Sequence, residues 1–312
     1  MNSQQVSFVF PGQGSQYIGM GKSLAQSFSF ANDIFMQADD ILSFPLSRIA
    51  WEGPEEFLND TINTQPALFV HSIAVLSVIQ NLNLDLLPTF VAGHSMGELS
   101  ALVASGALSF SDGLRLVRIR GMLMKNAGEL NPGGMAAVLG LDIHKIEQLC
   151  AQASNGSEIV QVANDNCPGQ VVISGSDTAL KRVHPLLEKS GAKRVIRLAV
   201  SIAAHSPFMA SAQDEFNKAI GATPIIKPVI PIIGNVTAQP LLSSFDIRSD
   251  LQYQLTHRVR WTETVQNLTS QGISIFYEIG SGTVLSGLIK RINRDVKTTT
   301  LGTPEDFHNL QI

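Results

Sequence analysis

Cysteine is almost absent, with only Cys150 and Cys167 among 312 residues, and no metal-ligand spacing surrounds them. A disulfide-dense scaffold is thereby excluded, and a reduced, cytoplasmic setting is expected. Charge is also scarce: 22 Lys and Arg against 26 Asp and Glu give a net charge of −4, which supplies no electrostatic case for nucleic acid. No stretch approaches the ~20 uninterrupted apolar residues of a membrane span, so no membrane association is expected. The polar start over 1–5 runs straight into a strand-like segment, without the pattern of a signal peptide. Internal repeats and low-complexity segments are missing too. What is there is a chain 44% hydrophobic and 15% charged, long enough for one large α/β domain or a large domain carrying a small one.

Val6–Phe10 (VSFVF) is short, apolar and β-rich, and it ends in Pro11-Gly12-Gln13-Gly14. That pattern reads as a buried strand entering a glycine loop. A second such run, 87–92, meets Gly93-His94-Ser95-Met96-Gly97, after which 98–105 reads as a helix stopped by Gly106. Helices are also expected over 65–82, with Pro66 in the first turn, and over 111–126, with Ser109 and Asp112 spaced as a cap. Between 130 and 200 the rhythm changes to strand 135–141, helix 143–153, strands 158–163 and 170–174, helix 178–189 and strand 192–200. This βαββαβ order is that of a ferredoxin-like unit. The longer rhythm resumes with a helix over 206–220 and strands over 229–233 and 273–278. The expected division is a discontinuous α/β domain, 1–130 and 201–312, with an inserted ferredoxin-like subdomain, 131–200.

Gly93-His94-Ser95-Met96-Gly97 fits G-x-S-x-G between an expected strand and an expected helix. On so sharp a turn, side chains at the glycine positions would clash, and the serine hydroxyl is lifted above the sheet edge. The Met96 backbone N–H lies near a helix N-terminus, where it can stabilise an oxyanion. A serine hydroxyl needs a base, and histidine suits that near neutral pH. Seven histidines compete. His94 adjoins the serine, but neighbours on a tight turn point apart; His71 lies in an apolar helix; His144 and His184 fall on helices of the inserted unit. His257 stands beside Arg258, and His308 is near the end of the chain. His205 follows the strand-like 195–200 and precedes Ser206-Pro207, a strand-end loop of the kind where α/β enzymes place catalytic groups. No carboxylate stands out as a third member. Lys181, Arg182, Lys189, Lys193, Arg194 and Arg197 form one basic stretch and Lys290, Arg291 and Arg294 another; such runs are ordinarily solvated faces.

Five separated motifs carry a resemblance. They are 10–16 (FPGQGSQ), 93–98 (GHSMGE), 116–121 (LVRIRG), 166–170 (NCPGQ) and 234–240 (GNVTAQP). Together, in order from about residue 6 to about residue 294, they resemble the malonyl-CoA:acyl carrier protein transacylase family. The resemblance implies an α/β-hydrolase-like large domain and a ping-pong acyl transfer from malonyl-CoA to acyl carrier protein, with no metal or redox cofactor. It implies Ser95 as nucleophile, His205 as base, and a backbone carbonyl at Gln254 orienting the imidazole in place of a carboxylate. The Gln13 and Met96 amides become the oxyanion hole. Arg120 becomes the carboxylate anchor; chemistry alone calls for one guanidinium on malonyl, and Arg115 and Arg118 share that helix. Gln65, His94, Asn166 and Ala204 match positions near the substrate, as does the Gly234-Asn235 turn. The basic stretches become docking candidates for an acidic carrier protein.

Two departures bear on substrate. Ile202-Ala203-Ala204 replaces the Gly-Ala-Phe often found before the histidine, which leaves room for a branched acyl group. The segment 255–261 (LTHRVRW) is more basic than the usual Asn-Pro-Val-containing stretch. The alternatives are a polyketide acyltransferase for another extender unit, an acyl-carrier hydrolase and, against the presence of Ser95, His205 and Arg120, a non-catalytic docking module.

Overall fold

A computed structural model describes residues 5–84 and 86–310; of the polar start read over 1–5, only Gln5 lies among them. Apolar runs form most of the strands: β1 (Val6–Phe10), β2 (Phe90–Gly93), β3 (Gly134–Leu139), β4 (Val160–Cys167), β5 (Gln170–Gly175), β6 (Arg194–Arg197), β7 (Ile232–Ile233), β8 (Pro240–Leu241), β9 (Ile275–Ile279) and β10 (Lys297–Leu301). Six of them form one sheet in the order β10-β9-β1-β2-β7-β8. Its pairs are parallel except β7 with β8. The central β1 sets Phe10 opposite Gly93 of β2, so the loops leaving both strands emerge side by side. Carboxyl ends of parallel strands are where open α/β sheets gather their ligands.

The helix Thr61–Asn81 packs in the core, buried along most of its length. It is long and apolar enough to cross a bilayer by length and composition, yet the greater part of it is buried inside this fold. It starts four residues before the expected point, because Asp60 caps it, accepting from the Ile62 N–H at 3.2 Å. Pro66 therefore falls inside the helix, where it has no N–H for the Ile62 carbonyl. Arg118 Nη1 takes that carbonyl at 2.6 Å, so the group the proline leaves open is satisfied from the neighbouring helix Phe110–Leu130.

The remaining four strands form a second, antiparallel sheet in the order β4-β5-β3-β6. Helix Ile143–Ala153 joins β3 to β4, and helix Asp177–Lys189 joins β5 to β6. They enclose a separate apolar cluster that includes Val138, Ile146, Leu149, Ile173 and Val183. One parallel bridge, Asn164 with Val259, ties β4 to a segment that follows the large sheet's β8.

Differences from the sequence reading have local causes. The run 229–233 yields only the two-residue β7, since the Val229 and Ile230 N–H groups turn to Ser105 O at 2.8 and 3.4 Å. The helix expected over 206–220 opens as a single 3-10 turn, Pro207–Met209, before Ala210–Ala222. β10 is polar (Lys-Thr-Thr-Thr-Leu), and it lies at a sheet edge paired only with β9, where β-branched threonine suffices.

Candidate active site

Ser95 occupies the turn between β2 and the helix Gly97–Ala104 with φ 53°, a left-handed conformation costly for a serine. The flanking glycines make this turn fit. A Cβ on Gly93 would lie 2.0 Å from the Gly97 backbone, and one on Gly97 would lie 2.2 Å from Phe10 O. Asn235 grips the turn from outside: its Oδ1 accepts from Ser95 N at 2.8 Å and its Nδ2 donates to Gly93 O at 2.8 Å. The two side chains on the turn diverge. His94 Nε2 lies 2.8 Å from Asn166 Oδ1 and its ring meets Trp261 edge-on, whereas the Ser95 hydroxyl faces His205.

His205 is 3% exposed, and its Nε2 lies 2.8 Å from Ser95 Oγ. Its Nδ1 is 2.8 Å from Gln254 O and 3.1 Å from His257 O. Carbonyl oxygens only accept, so Nδ1 carries the hydrogen and Nε2 is free to receive the serine proton. Burial, then the neighbouring Arg120 charge, push the imidazole down to about 3, against the opposing pull of the Gln254 carbonyl. The ring is therefore neutral, the form a base requires.

Arg120, on the helix Phe110–Leu130, is 1% exposed. Its Nη1 donates to Gln65 Oε1 at 2.7 Å, its Nε to Gln254 Oε1 at 3.0 Å, and its Nη2 to Ser95 Oγ at 3.1 Å. Gln65 is itself fixed by Thr61 Oγ1 at 3.0 Å, and that hydroxyl donates to Gln13 Oε1 at 2.8 Å. Among the described residues no carboxylate pairs with Arg120. Burial lowers the guanidinium to about 10, with Glu98 opposing, so it remains charged at neutral pH. A cation held by neutral amides, with one N–H beside a hydroxyl, suits an incoming carboxylate.

Gln13 and Met96 lie on the adjoining loops that leave β1 and β2. Among the described residues neither of their backbone N–H groups has an acceptor within the protein, although those of Gly14, Ser95 and Gly97 do. The structure thus brings Ser95, His205, Arg120, Gln254 and Gln65 into one hydrogen-bonded set. His94 and Asn166 form a pair on the other side of the turn. Ala204 is buried in the main apolar cluster, one residue before His205.

Three participants were not singled out from the sequence. The His257 carbonyl is a main-chain group that no motif marks, and the Gln161 side-chain amide donates through Nε2 to another main-chain group, His205 O, at 2.9 Å. Glu98 was visible as the last letter of GHSMGE but had no assigned place. It is fully buried, and Gln254 Nε2 donates to its Oε2. Burial, then the Asp250 charge, hold its carboxyl well above the usual carboxylate range. The folded protein therefore keeps a proton that the unfolded chain releases above about 4.5. This contribution is full below that pH and declines by about 1.4 kcal/mol per pH unit above it, until the folded carboxyl ionises. Glu98→Gln keeps the shape and has no proton to lose. Its Tm is expected to gain on wild type by a few degrees as pH rises above about 5. A difference that stays flat across that range would contradict a protonated Glu98.

Residues 7–303 match the acyl transferase domain, and the chain belongs to that family. Within it, the chain is 43% identical to the malonyl CoA-acyl carrier protein transacylase of Bacillus subtilis (strain 168) over 301 residues, covering 96% of this chain and 94% of that one. It is 41% identical to the protein of the same name from Staphylococcus aureus (strain COL), with 97% of each covered. The structure superposes on the malonyl CoA-acyl carrier protein transacylase of Coxiella burnetii with a TM-score of 0.95 at 38% identity, covering 99% of this chain and 97% of that one. It also matches, at TM-score 0.94 and 39% identity over 98% and 99% of the two chains, a malonyl-transacylase in complex with its type II PKS acyl-carrier protein.

Proposed function

We propose that the protein transfers a malonyl group from malonyl-CoA to the phosphopantetheine thiol of an acyl carrier protein, through an ester on Ser95. The observation that carries this reading is a single hydroxyl, Ser95 Oγ, 2.8 Å from a neutral imidazole and 3.1 Å from a buried guanidinium. The first pairing supports a nucleophile; the second supports a cation's grip on a carboxylate one methylene from the reacting carbonyl. The names and substrates of the relatives agree with it.

In the scheme, His205 Nε2 takes the Ser95 proton as Oγ attacks the thioester carbonyl. The Gln13 and Met96 amides receive the oxyanion. As the tetrahedral species collapses, the C–S bond breaks and the coenzyme A thiolate leaves with the proton from His205. The carrier protein's thiol then gives its proton to His205 and attacks the ester, the C–O bond to Ser95 breaks, and His205 returns the proton to Ser95 Oγ. Each proton and acyl movement is assigned to groups of this chain and its two substrates, so the scheme calls on no metal or redox cofactor. We read the six-stranded part, 1–130 and 201–312, as an α/β-hydrolase-like domain and 131–200 as an inserted ferredoxin-like subdomain, with the substrate groove between them. Strand order supports the latter: chain order 1-2-3-4 becomes spatial order 2-3-1-4.

Incubation with malonyl-, methylmalonyl- and acetyl-CoA followed by intact mass tests the proposal. Preferential malonyl loading, then discharge on adding carrier protein, is expected. Methylmalonyl loading at the malonyl rate would favour the branched-extender reading that Ala204 invites, and acetyl loading followed by release to water would favour hydrolysis. No adduct from any donor would leave a docking module.

Carrier docking makes a separate prediction. Arg182 and Arg197 of the first basic stretch are engaged with Glu158 and Asp177. Lys290, Arg291 and Arg294 cluster at the end of the helix Val284–Ile292, and all three are exposed. Arg291 also donates to Gln170 on the β4–β5 hairpin, four residues after Asn166. Reversing all three charges is expected to slow transfer to an acidic carrier about tenfold at low salt while leaving loading from malonyl-CoA intact. An unchanged transfer rate would exclude this patch.

A further inference from the structure

We propose that Gln161, on β4 of the inserted unit, is a positioning residue for the base, so that this unit takes part in the transfer rather than only walling the groove. The inference rests on the reading of His205 as the base. His205 has φ 57°, a left-handed conformation that must be held from outside. Gln161 Nε2 donates to His205 O at 2.9 Å and reaches Thr256 O at 3.4 Å. Both acceptors are carbonyls, so only the amide nitrogen can face them. One side-chain N–H group thus links the loop carrying the imidazole to the loop carrying its two acceptors, Gln254 O and His257 O.

The acceptor loop is registered against β4 from further on as well. Val259 N donates to Ala163 O at 2.8 Å, Asp165 N donates to Val259 O at 2.9 Å, and Arg258 Nη1 donates to Glu147 Oε1 at 2.6 Å. This gives the basic 255–261 segment a place: Arg258 ties the loop to the helix Ile143–Ala153, and Arg260 pairs with Glu263 on its own side. Gln161 is the contact that reaches the base itself. It lines a groove of about 760 Å³ together with Glu147, Pro207, Thr256, His257 and Arg258 among others.

The experiment compares Gln161→Met, of similar length with no N–H, and Gln161→Lys, which retains an N–H donor of comparable reach. The single-turnover rate of malonyl loading is read by intact mass over a range of malonyl-CoA concentrations, and Ser95 labelling by a fluorophosphonate is read in parallel. Gln161→Met is expected to lose about tenfold in the maximal loading rate and in the labelling rate, with half-saturation unchanged. Gln161→Lys is expected to stay within about threefold of wild type. A merely structural role would rank them the other way, because a partly buried site tolerates methionine better than lysine. Met at the wild-type rate, or Lys falling as far as Met, overturns the proposal. If wild type itself forms no malonyl adduct, the underlying reading fails and this inference with it.

Discussion

His205→Ala is expected to slow acylation of Ser95 by malonyl-CoA roughly 10³-fold. The imidazole is the only base within reach of the hydroxyl among the described residues, and two main-chain carbonyls hold its tautomer. Arg120 Nη2, the hydroxyl's other partner, can only donate, so it cannot take the proton in the imidazole's place. Single-turnover loading read by quenched intact mass would check this, and a variant within tenfold of wild type would contradict the role. The wild-type pH profile is a companion to it. Because burial first and Arg120 second push the imidazole down to about 3, loading should remain active well below the ordinary histidine value of about 6.5. Protonation removes the base, so the rate falls only as pH approaches the depressed value.

Arg120→Ala should cost malonyl loading about 10²- to 10³-fold in kcat/KM, with little loss for acetyl-CoA. Two N–H groups facing a carboxylate give charge-assisted hydrogen bonds, each about twice as strong as a neutral one, and alanine removes both. Arg120→Lys should recover part of the loss, since an ammonium supplies the charge without the planar fork. The same alanine variant removes the second cause of the low imidazole value, so its acid limb should move upward relative to wild type. Malonyl and acetyl falling together would show that Arg120 supports the Ser95 turn rather than the cargo.

The legible part of this site was the part written as local pattern. Gly93 and Gly97 announce a turn that no other residue fits, and the structure supplies the reason in contacts of 2.0 and 2.2 Å. The chain order of elements between 134 and 197, βαββαβ, is legible because short apolar runs alternate there with helical segments. His205 could be approached by its place in a strand-end loop, but its choice over six others needed the resemblance. Arg120 could not be told from Arg115 and Arg118 by helix position, since burial of a charge depends on which amides fold around it. Those amides, Gln65 and Gln254, lie 55 and 134 residues away along the chain. The His257 carbonyl left no trace because a main-chain acceptor has no sequence letter, and the Gln161 side-chain amide left none because the group it donates to, His205 O, is itself main chain. The sequence pattern shortens Thr61–Asn81 because Pro66 suits a first turn, and nothing local announces that Arg118, from another helix, takes the carbonyl an interior proline leaves open.

The most direct measurement is the intact mass of the protein after brief exposure to malonyl-CoA, with peptide mapping of the adduct. One malonyl group on the peptide bearing Ser95, absent from Ser95→Ala and discharged by a carrier-protein thiol, is the predicted result. An adduct that persists in Ser95→Ala, or transfer to the carrier at the wild-type rate by that variant, would contradict the covalent scheme.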